Sequence, residues 1–528
     1  MWRYLRAVLP SITRAGTAPI AFCRGGAGTV FPHIQSFSSL SANYRLISSK
    51  SIHDLVFGGR IRAFDHALPL NTARRALHVP VASPLPLLPV HARSALRRLT
   101  HLHPKVNTPA TRRFLRPIST SAGVSSTSPL VAGLSDSARR AITLWVGGAA
   151  AWVFTMVVLG GVTRLTRSGL SMTDWKFTGE KPPSTEEEWL VEFSRYQQSP
   201  EFQKVNSSMT VDEFKFIYWM EWAHRMWGRG LGVYFAIPFA YFASRGQLNA
   251  ALTRRLLIIF GAGGAQGFIG WWMVKSGLEH PPQEWDVPRV SPYRLATHLT
   301  SAFAIYAALL WTTLTLAMPT PLAATIEGSA VPTTLRVLRG RALPLTGLVA
   351  LTAFSGAYVA GMDAGHAYND FPFMNGDLIP VRDYFVMEPL WRNFFESTAA
   401  VQFNHRVLAL TTLGSVGAFF FGAQQLGLKT LPKSVRLPAT GMLHMTLVQV
   451  ALGIATLMWH VPVELGSAHQ AGALTLLSLA LATLHGVRAS PVLNLSTLLS
   501  RGPLLVMPAA VVVGLGTGLM GVARATKE

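Results

Sequence analysis

Between residues 141 and 486 the chain repeats one pattern. An apolar run with almost no charge is followed by a polar break, and the runs fall at 141–162, 226–243, 256–274, 295–318, 342–361, 407–428, 437–459 and 468–486. About 20 apolar residues in helical form span the roughly 30 Å hydrocarbon core of a bilayer. Each run therefore predicts a transmembrane helix, and three of them extend N-terminally through polar residues. The breaks are short except at 163–213 and 362–396. A further apolar run, 503–522, is a candidate ninth span, a re-entrant segment or a surface helix.

The polar positions repeat as well. Ser168-Gly169 with Asp174-Trp175 matches Ala364-Gly365 with Asp370-Phe371, and Glu221-Trp222-Ala223-His224-Arg225 matches Gln402-Phe403-Asn404-His405-Arg406. Gln266 with Gly270 matches Gln449 with Gly453, and His298 matches His469, all in the same order. Each unit holds four spans, so both begin on the same side of the membrane and the repeat is parallel. The predicted fold is an all-α polytopic membrane protein of eight transmembrane helices in two pseudo-symmetric four-helix bundles. Residues 138–320 form the first bundle and 341–490 the second, with a tail at 491–528.

Composition fits a membrane protein: 49% of residues are hydrophobic, 14% are charged and the mean hydropathy is +0.31. The net charge of +22 would suit a nucleic-acid binder. Its distribution removes that reading. The first 120 residues are rich in Arg, Ser and Pro, and their only acids are Asp54 and Asp65. Residues 1–125 thus predict a mitochondrial presequence and linker. The remaining excess sits in the breaks after the second, fourth and sixth spans, at Arg245, Arg254, Arg255, Arg336, Arg339, Arg341, Lys429, Lys433 and Arg436. By the positive-inside rule these breaks share one side with the N-terminus. With a mitochondrial address that side is the matrix, in the inner membrane, and the long breaks face the intermembrane space. The single cysteine, Cys23, excludes an intramolecular disulfide framework, a cysteine zinc site and an iron–sulfur cluster.

Four histidines stand at repeated positions near the starts of even-numbered spans: His224, His298, His405 and His469. A histidine in lipid is costly and tends to be functional. Any one of them alone fits a hydrogen-bonded core residue, but two pairs at equivalent places fit metal ligands better. A pair on facing helices suits haem iron bound from both faces. Gly160, Gly161, Gly261, Gly263, Gly264 and Gly356 either admit a flat ring or serve ordinary helix packing. Arg225 and Arg406 are candidates for haem propionates or for structural ion pairs. Trp222, Trp271 and Trp272 read as packing or interfacial belt residues.

The repeats differ at one chemically telling position: Glu221 against Gln402. Glu221 is three residues before His224 and shares its helix face. A carboxylate there can relay protons or stabilise a developing cation, or it can pair with Arg225. The asymmetry predicts a reacting N-terminal site and an auxiliary C-terminal site.

These segments together resemble the mitochondrial haem A synthase family. The resemblance rests on residues 160–175, 221–230 (EWAHRMWGRG), 292–299 (PYRLATHL), 361–372 (GMDAGHAYNDFP), 403–406 and His469-Gln470, and covers about 140–486. It implies an eight-span, two-repeat enzyme that oxidises the C8 methyl of haem O to a formyl group, giving haem A for cytochrome c oxidase. It further implies that His224 and His298 hold the substrate haem, that His405 and His469 hold a haem b, and that Glu221 is the essential glutamate. A ferredoxin system is the implied electron donor. Haem O synthase and oxidase assembly factors are compatible partners, as is a second copy of the chain. Some bacterial members carry a cysteine pair in the first outer loop; residues 163–213 have none. The competing reading is a di-haem cytochrome b-type electron carrier or quinone oxidoreductase, which leaves Glu221 against Gln402 unexplained.

Overall fold

The computed structural model describes residues 127–176, 178–279, 287–324 and 331–488. The presequence, Cys23, the tail from 491 and the candidate ninth span lie outside the described residues. Among the described residues the chain is helical, and its only β feature is an isolated bridge between Met374 and Asp377.

Twelve α-helices follow one another: α1 Asp136–Leu165, α2 Glu186–Gln197, α3 Pro200–Lys204, α4 Val211–Ser244, α5 Ala250–Leu278, α6 Pro292–Ala317, α7 Val331–Gly361, α8 Val381–Tyr384, α9 Asn393–Glu396, α10 Thr398–Gln425, α11 Lys433–Met458 and α12 Val463–Gly486. Eight of them carry the eight predicted spans, three of which run one to three residues past the helix end. Seven are long and apolar enough to cross a membrane. The exception, α4, contains the predicted span 226–243, but Trp227, Arg229 and three glycines dilute its hydropathy. At 34 residues α4 is about 50 Å long, far more than a bilayer core requires. Its first turns therefore project outward. They start at a capping box in which the Thr210 side chain accepts from the Glu213 amide while the Glu213 carboxylate accepts from Thr210 N–H.

Helix α1 packs on α4 and α6, and α5 on α6; in the second half α7 packs on α10 and α12, and α11 on α12. The same pairings thus recur in both halves. Helices α1, α6, α7 and α12 make the contacts between the halves, through the pairs α6–α7, α1–α12 and α6–α12. One continuous apolar core runs through both, from Ile142, Val146 and Leu309 to Leu338, Val416 and Leu477. Polar ties cross the same seam: Tyr306 Oη to Ser478 Oγ at 2.7 Å, Gln470 Nε2 donating to Val157 O at 3.0 Å, and an Arg164–Asp363 ion pair at 2.8 Å.

The outer breaks are built differently. Trp189, Phe193 and Tyr196 of α2 pack on Phe214, Ile217 and Tyr218 at the projecting end of α4, and Phe202 of α3 and Met172 of the preceding loop join this cluster. Apolar periodicity for helices this short was too weak to predict them within 163–213. The second outer break is knotted around Asn393, which is fully buried. Its Oδ1 accepts from the amides of Val386 and Met387, and its Nδ2 donates to Met387 O and Leu390 O.

Candidate functional site

The four histidines lie on α4, α6, α10 and α12, one on each helix that follows an outer break. Each presents the Cε1 edge of its ring to a glycine on a neighbouring helix. His224 meets Gly160 of α1, His298 meets Gly270 of α5, His405 meets Gly356 of α7 and His469 meets Gly453 of α11. A Cβ on these glycines would lie 3.1, 3.0, 3.2 and 2.9 Å from the respective Cε1 atoms, at or inside the closest approach side chains tolerate. The backbone is thus cut away at all four places to seat an imidazole. Gly160 and Gly356 had been singled out in the sequence for close approach, and Gly270 and Gly453 only as repeat markers. Gly161 abuts the Gln470 side chain instead, while Gly261, Gly263 and Gly264 have nothing within 4 Å.

The His405 and His469 ring centres are 6.4 Å apart, with planes at 84°. A metal with bonds of about 2 Å to two opposed ring nitrogens, each roughly 1 Å from its ring centre, needs about 6 Å. The ring-centre separation of the C-terminal pair matches that spacing. The proton side of His405 fits too. Ser355 Oγ donates to Thr352 O at 2.7 Å, so its oxygen is available to accept from His405 Nδ1, also at 2.7 Å. That arrangement leaves Nε2 with a free lone pair for a metal. Gln449 Nε2 donates to His469 O at 2.7 Å and lies 3.0 Å from Nδ1; Gln266 Nε2 does the same for His298, at 2.6 and 3.2 Å. Each glutamine thus ties its amide NH2 to the histidine's own carbonyl and lies against the ring nitrogen, which fixes where the ring sits.

Glu221 is 2% exposed and is held by three donors. Its Oε2 accepts from Ser171 Oγ at 2.7 Å and from Met172 N at 2.9 Å, and its Oε1 accepts from Arg225 Nη2 at 2.6 Å. Arg225 donates further to Met172 O and Asp174 O, at 3.0 and 2.9 Å. Glu221 and Arg225, one helical turn apart, thus clamp the loop 168–175 onto the histidine helix. The second half repeats the clamp with an amide. Gln402 Nε2 donates to Ala364 O at 2.7 Å and Tyr368 O at 3.3 Å, and Oε1 accepts from Arg406 at 2.9 Å. Arg406 in turn donates to Tyr368 O and Phe373 O. Both guanidinium forks, candidates for propionates in the sequence, are engaged by the chain itself. The donors Ser171 and Met172 and the acceptors Ala364 and Tyr368 were missed, because the motif shows which side chains repeat but not which backbone groups a loop turns inward. Trp271 and Trp272 are partly exposed beneath Lys275 and Arg294, at 5.6 and 4.6 Å, as belt residues are.

Fold and site together define a two-repeat helical membrane protein with a glycine-seated histidine pair in each repeat. Residues 143–481 match the family model described as cytochrome oxidase assembly protein. The chain is 55% identical over 383 residues to heme A synthase COX15 of Arabidopsis thaliana, covering 71% of this chain and 81% of that one. It is 45% identical over 360 residues to heme A synthase COX15 of Homo sapiens, covering 68% and 85%. It is 44% identical over 356 residues to heme A synthase of Parvibaculum lavamentivorans, covering 66% and 95%. The chain belongs to the haem A synthase family.

Proposed function

We propose that this haem A synthase, an oxidoreductase-type enzyme of haem biosynthesis, converts the C8 methyl of haem O to a formyl group in its N-terminal half. In this reading His224 and His298 hold the substrate haem. His405 and His469 hold a resident haem b, which supplies a one-electron store beside the reacting site. The observation that carries the reading is the clamp: identical in plan in both halves, it bears a carboxylate only at 221.

The conversion of methyl to aldehyde removes four electrons and adds one oxygen atom. Whether it passes through successive hydroxylations or through a cation trapped by water, positive charge or an acidic proton develops near the methyl carbon. Glu221, fixed by three donors and one turn from His224, offers a preorganised negative charge to either. Arg225 and the Met172 amide keep that charge in place, and Ser171 can pass a proton at Oγ. Burial, at 2% exposure, keeps bulk water from the Glu221 carboxylate.

The protein is placed in the mitochondrial inner membrane, with the basic breaks in the matrix and both histidine pairs toward the intermembrane space. The basic residues of the second, fourth and sixth breaks support that orientation. The test is extraction and identification of haems from wild type and Glu221→Ala. The variant should keep its haem and accumulate haem O or the hydroxymethyl intermediate. Normal haem A output from it would remove Glu221 from the mechanism.

A further inference from the structure

The four histidines are seated alike but braced unequally. Gly160 and Gly356 occupy the same position against His224 and His405, which fixes the register of α1 on α7. One residue earlier, α7 carries Ser355 and α1 carries Leu159. Ser355 holds His405 Nδ1, and the Thr352 carbonyl also reaches that histidine. Leucine has nothing to offer, and His224 Nδ1 is buried with no hydrogen-bond partner. The other member of the N-terminal pair is braced twice over: Gln266 grips His298, and Ser301 Oγ donates to Gln266 Oε1 at 2.6 Å. In the C-terminal half the residue matching Ser301 is Gly472, and Gln449 Oε1 has no partner. In the C-terminal pair both histidines thus have a partner, His405 at Ser355 and His469 at Gln449, whereas in the N-terminal pair His298 is held and His224 is not.

We propose that His224 is the exchangeable iron ligand of this protein, and that the residue before the seating glycine, Leu159 or Ser355, sets whether the histidine it faces releases or holds. The inference rests on the reading that the four histidines bind haem. An imidazole whose second nitrogen is hydrogen-bonded has a fixed ring plane and a more basic ligating nitrogen; one without that bond turns more freely and binds more weakly. A substrate site must take in and give up its haem at every turnover, while a resident haem should stay. The N-terminal pair meets the first need by keeping His298 rigid and leaving His224 loose. The loose side is also the side of Glu221, so release of His224 opens the space nearest the carboxylate. Leu159 and Ser355 are positioning residues, acting on iron only through the histidine.

The test uses the full chain in lipid nanodiscs, loaded with haem b until both sites are filled, and follows haem transfer to excess apomyoglobin by the Soret band. Wild type should lose haem in a fast and a slow phase. Leu159→Ser should slow the fast phase about tenfold, and Ser355→Ala should speed the slow phase by about the same factor. Leu159→Ala, which removes the leucine without adding a hydroxyl, should leave the fast phase unchanged. Carbon monoxide binding to the reduced protein gives a second readout: about one haem in two should bind it rapidly in wild type, and both in Ser355→Ala. Wild-type transfer rates in Leu159→Ser and Ser355→Ala overturn the inference, as does equal slowing by Leu159→Ser and Leu159→Ala. If instead His224→Ala and His405→Ala both retain full haem content, the haem-ligand reading itself has failed.

Discussion

The N-terminal outer loop turns donors toward its histidine helix, the Ser171 hydroxyl and the Met172 amide; the C-terminal loop turns acceptors, the carbonyls of Ala364 and Tyr368. Each is met by the side chain that suits it, Glu221 or Gln402, and each clamp is completed by an arginine one turn on. Gln402 shows that anchoring a loop at this place needs no charge. A buried carboxylate is costly to desolvate and is tolerated at 221 because three donors converge on it. The loop of the first half is therefore shaped around a carboxylate where the second half manages with an amide.

The comparison breaks most completely at the histidines. His405→Ala removes one of the two histidines proposed to hold a resident haem, so on that reading the purified protein should lose about half of its b-type haem absorbance. An unchanged spectrum would show that the pair is a packing motif. Exchange of the clamp residues comes next. Glu221→Gln sets an amide NH2 against the Met172 N–H or the Arg225 guanidinium, whichever way it turns. It should reduce haem A formation by about 10²–10³-fold, the scale of losing a preorganised electrostatic group, with haem still bound. Gln402→Glu places a carboxylate against two carbonyl oxygens. It should cost stability by about 3 kcal/mol, read as a lower unfolding midpoint, and add no activity. Equal catalytic losses from both exchanges would mean that the two halves are not specialised.

The apolar runs made the eight long helices legible, because membrane thickness sets a length that composition alone reveals. The repeat made the histidine pairs and the 221/402 difference legible, because those positions recur in register. What stayed hidden depends on contacts that no spacing encodes. Ser355 and Leu159 occupy matching places, but their importance appears only when Gly356 and Gly160 are seen to seat the histidines. For Arg225 and Arg406 the sequence left open a haem propionate or a structural ion pair, and it could not show the loop carbonyls that both also reach. Helices α2 and α3 were hidden because short segments that fold against α4 are stabilised by that packing and not by their own propensity.

A smaller difference between the halves concerns pH. The second outer break is knotted by Asn393, a neutral amide with four partners. The first buries Glu201, 6% exposed, which accepts from Tyr196 Oη at 3.1 Å while Asn206 Nδ2 donates to that same oxygen. Burial pushes the Glu201 carboxyl up to about 7, with the Glu221 charge adding to the effect. A raised acid keeps its proton in the folded protein while the unfolded chain loses it. Stability from this group is thus full below the unfolded value of about 4.5, falls as pH rises toward about 7, and is level beyond, a loss on the order of 2–3 kcal/mol. Glu201→Gln keeps an acceptor for Tyr196 and should flatten that slope, raising the unfolding midpoint at pH 8 but not at pH 4.5. An identical pH profile in the variant would contradict the burial argument.

The smallest expected effect tests what joins the halves. Arg164 of α1 meets Asp363, just beyond α7, at 2.8 Å, and also donates to Ala360 O at 3.1 Å. Asp363 sits at a backbone φ of 51°, a left-handed conformation that asparagine also accepts. Asp363→Asn therefore removes the charge without straining the turn, and its Oδ1 can still accept from Arg164. Both side chains are partly exposed, at 22% and 30%, so solvent screens the pair. The loss should stay below about 1 kcal/mol and shrink further in high salt. The apolar core shared by α1, α6, α7 and α12 would then be what holds the repeats together. A loss of several kcal/mol, or separate unfolding of the two halves in the variant, would shift that role to the ion pair.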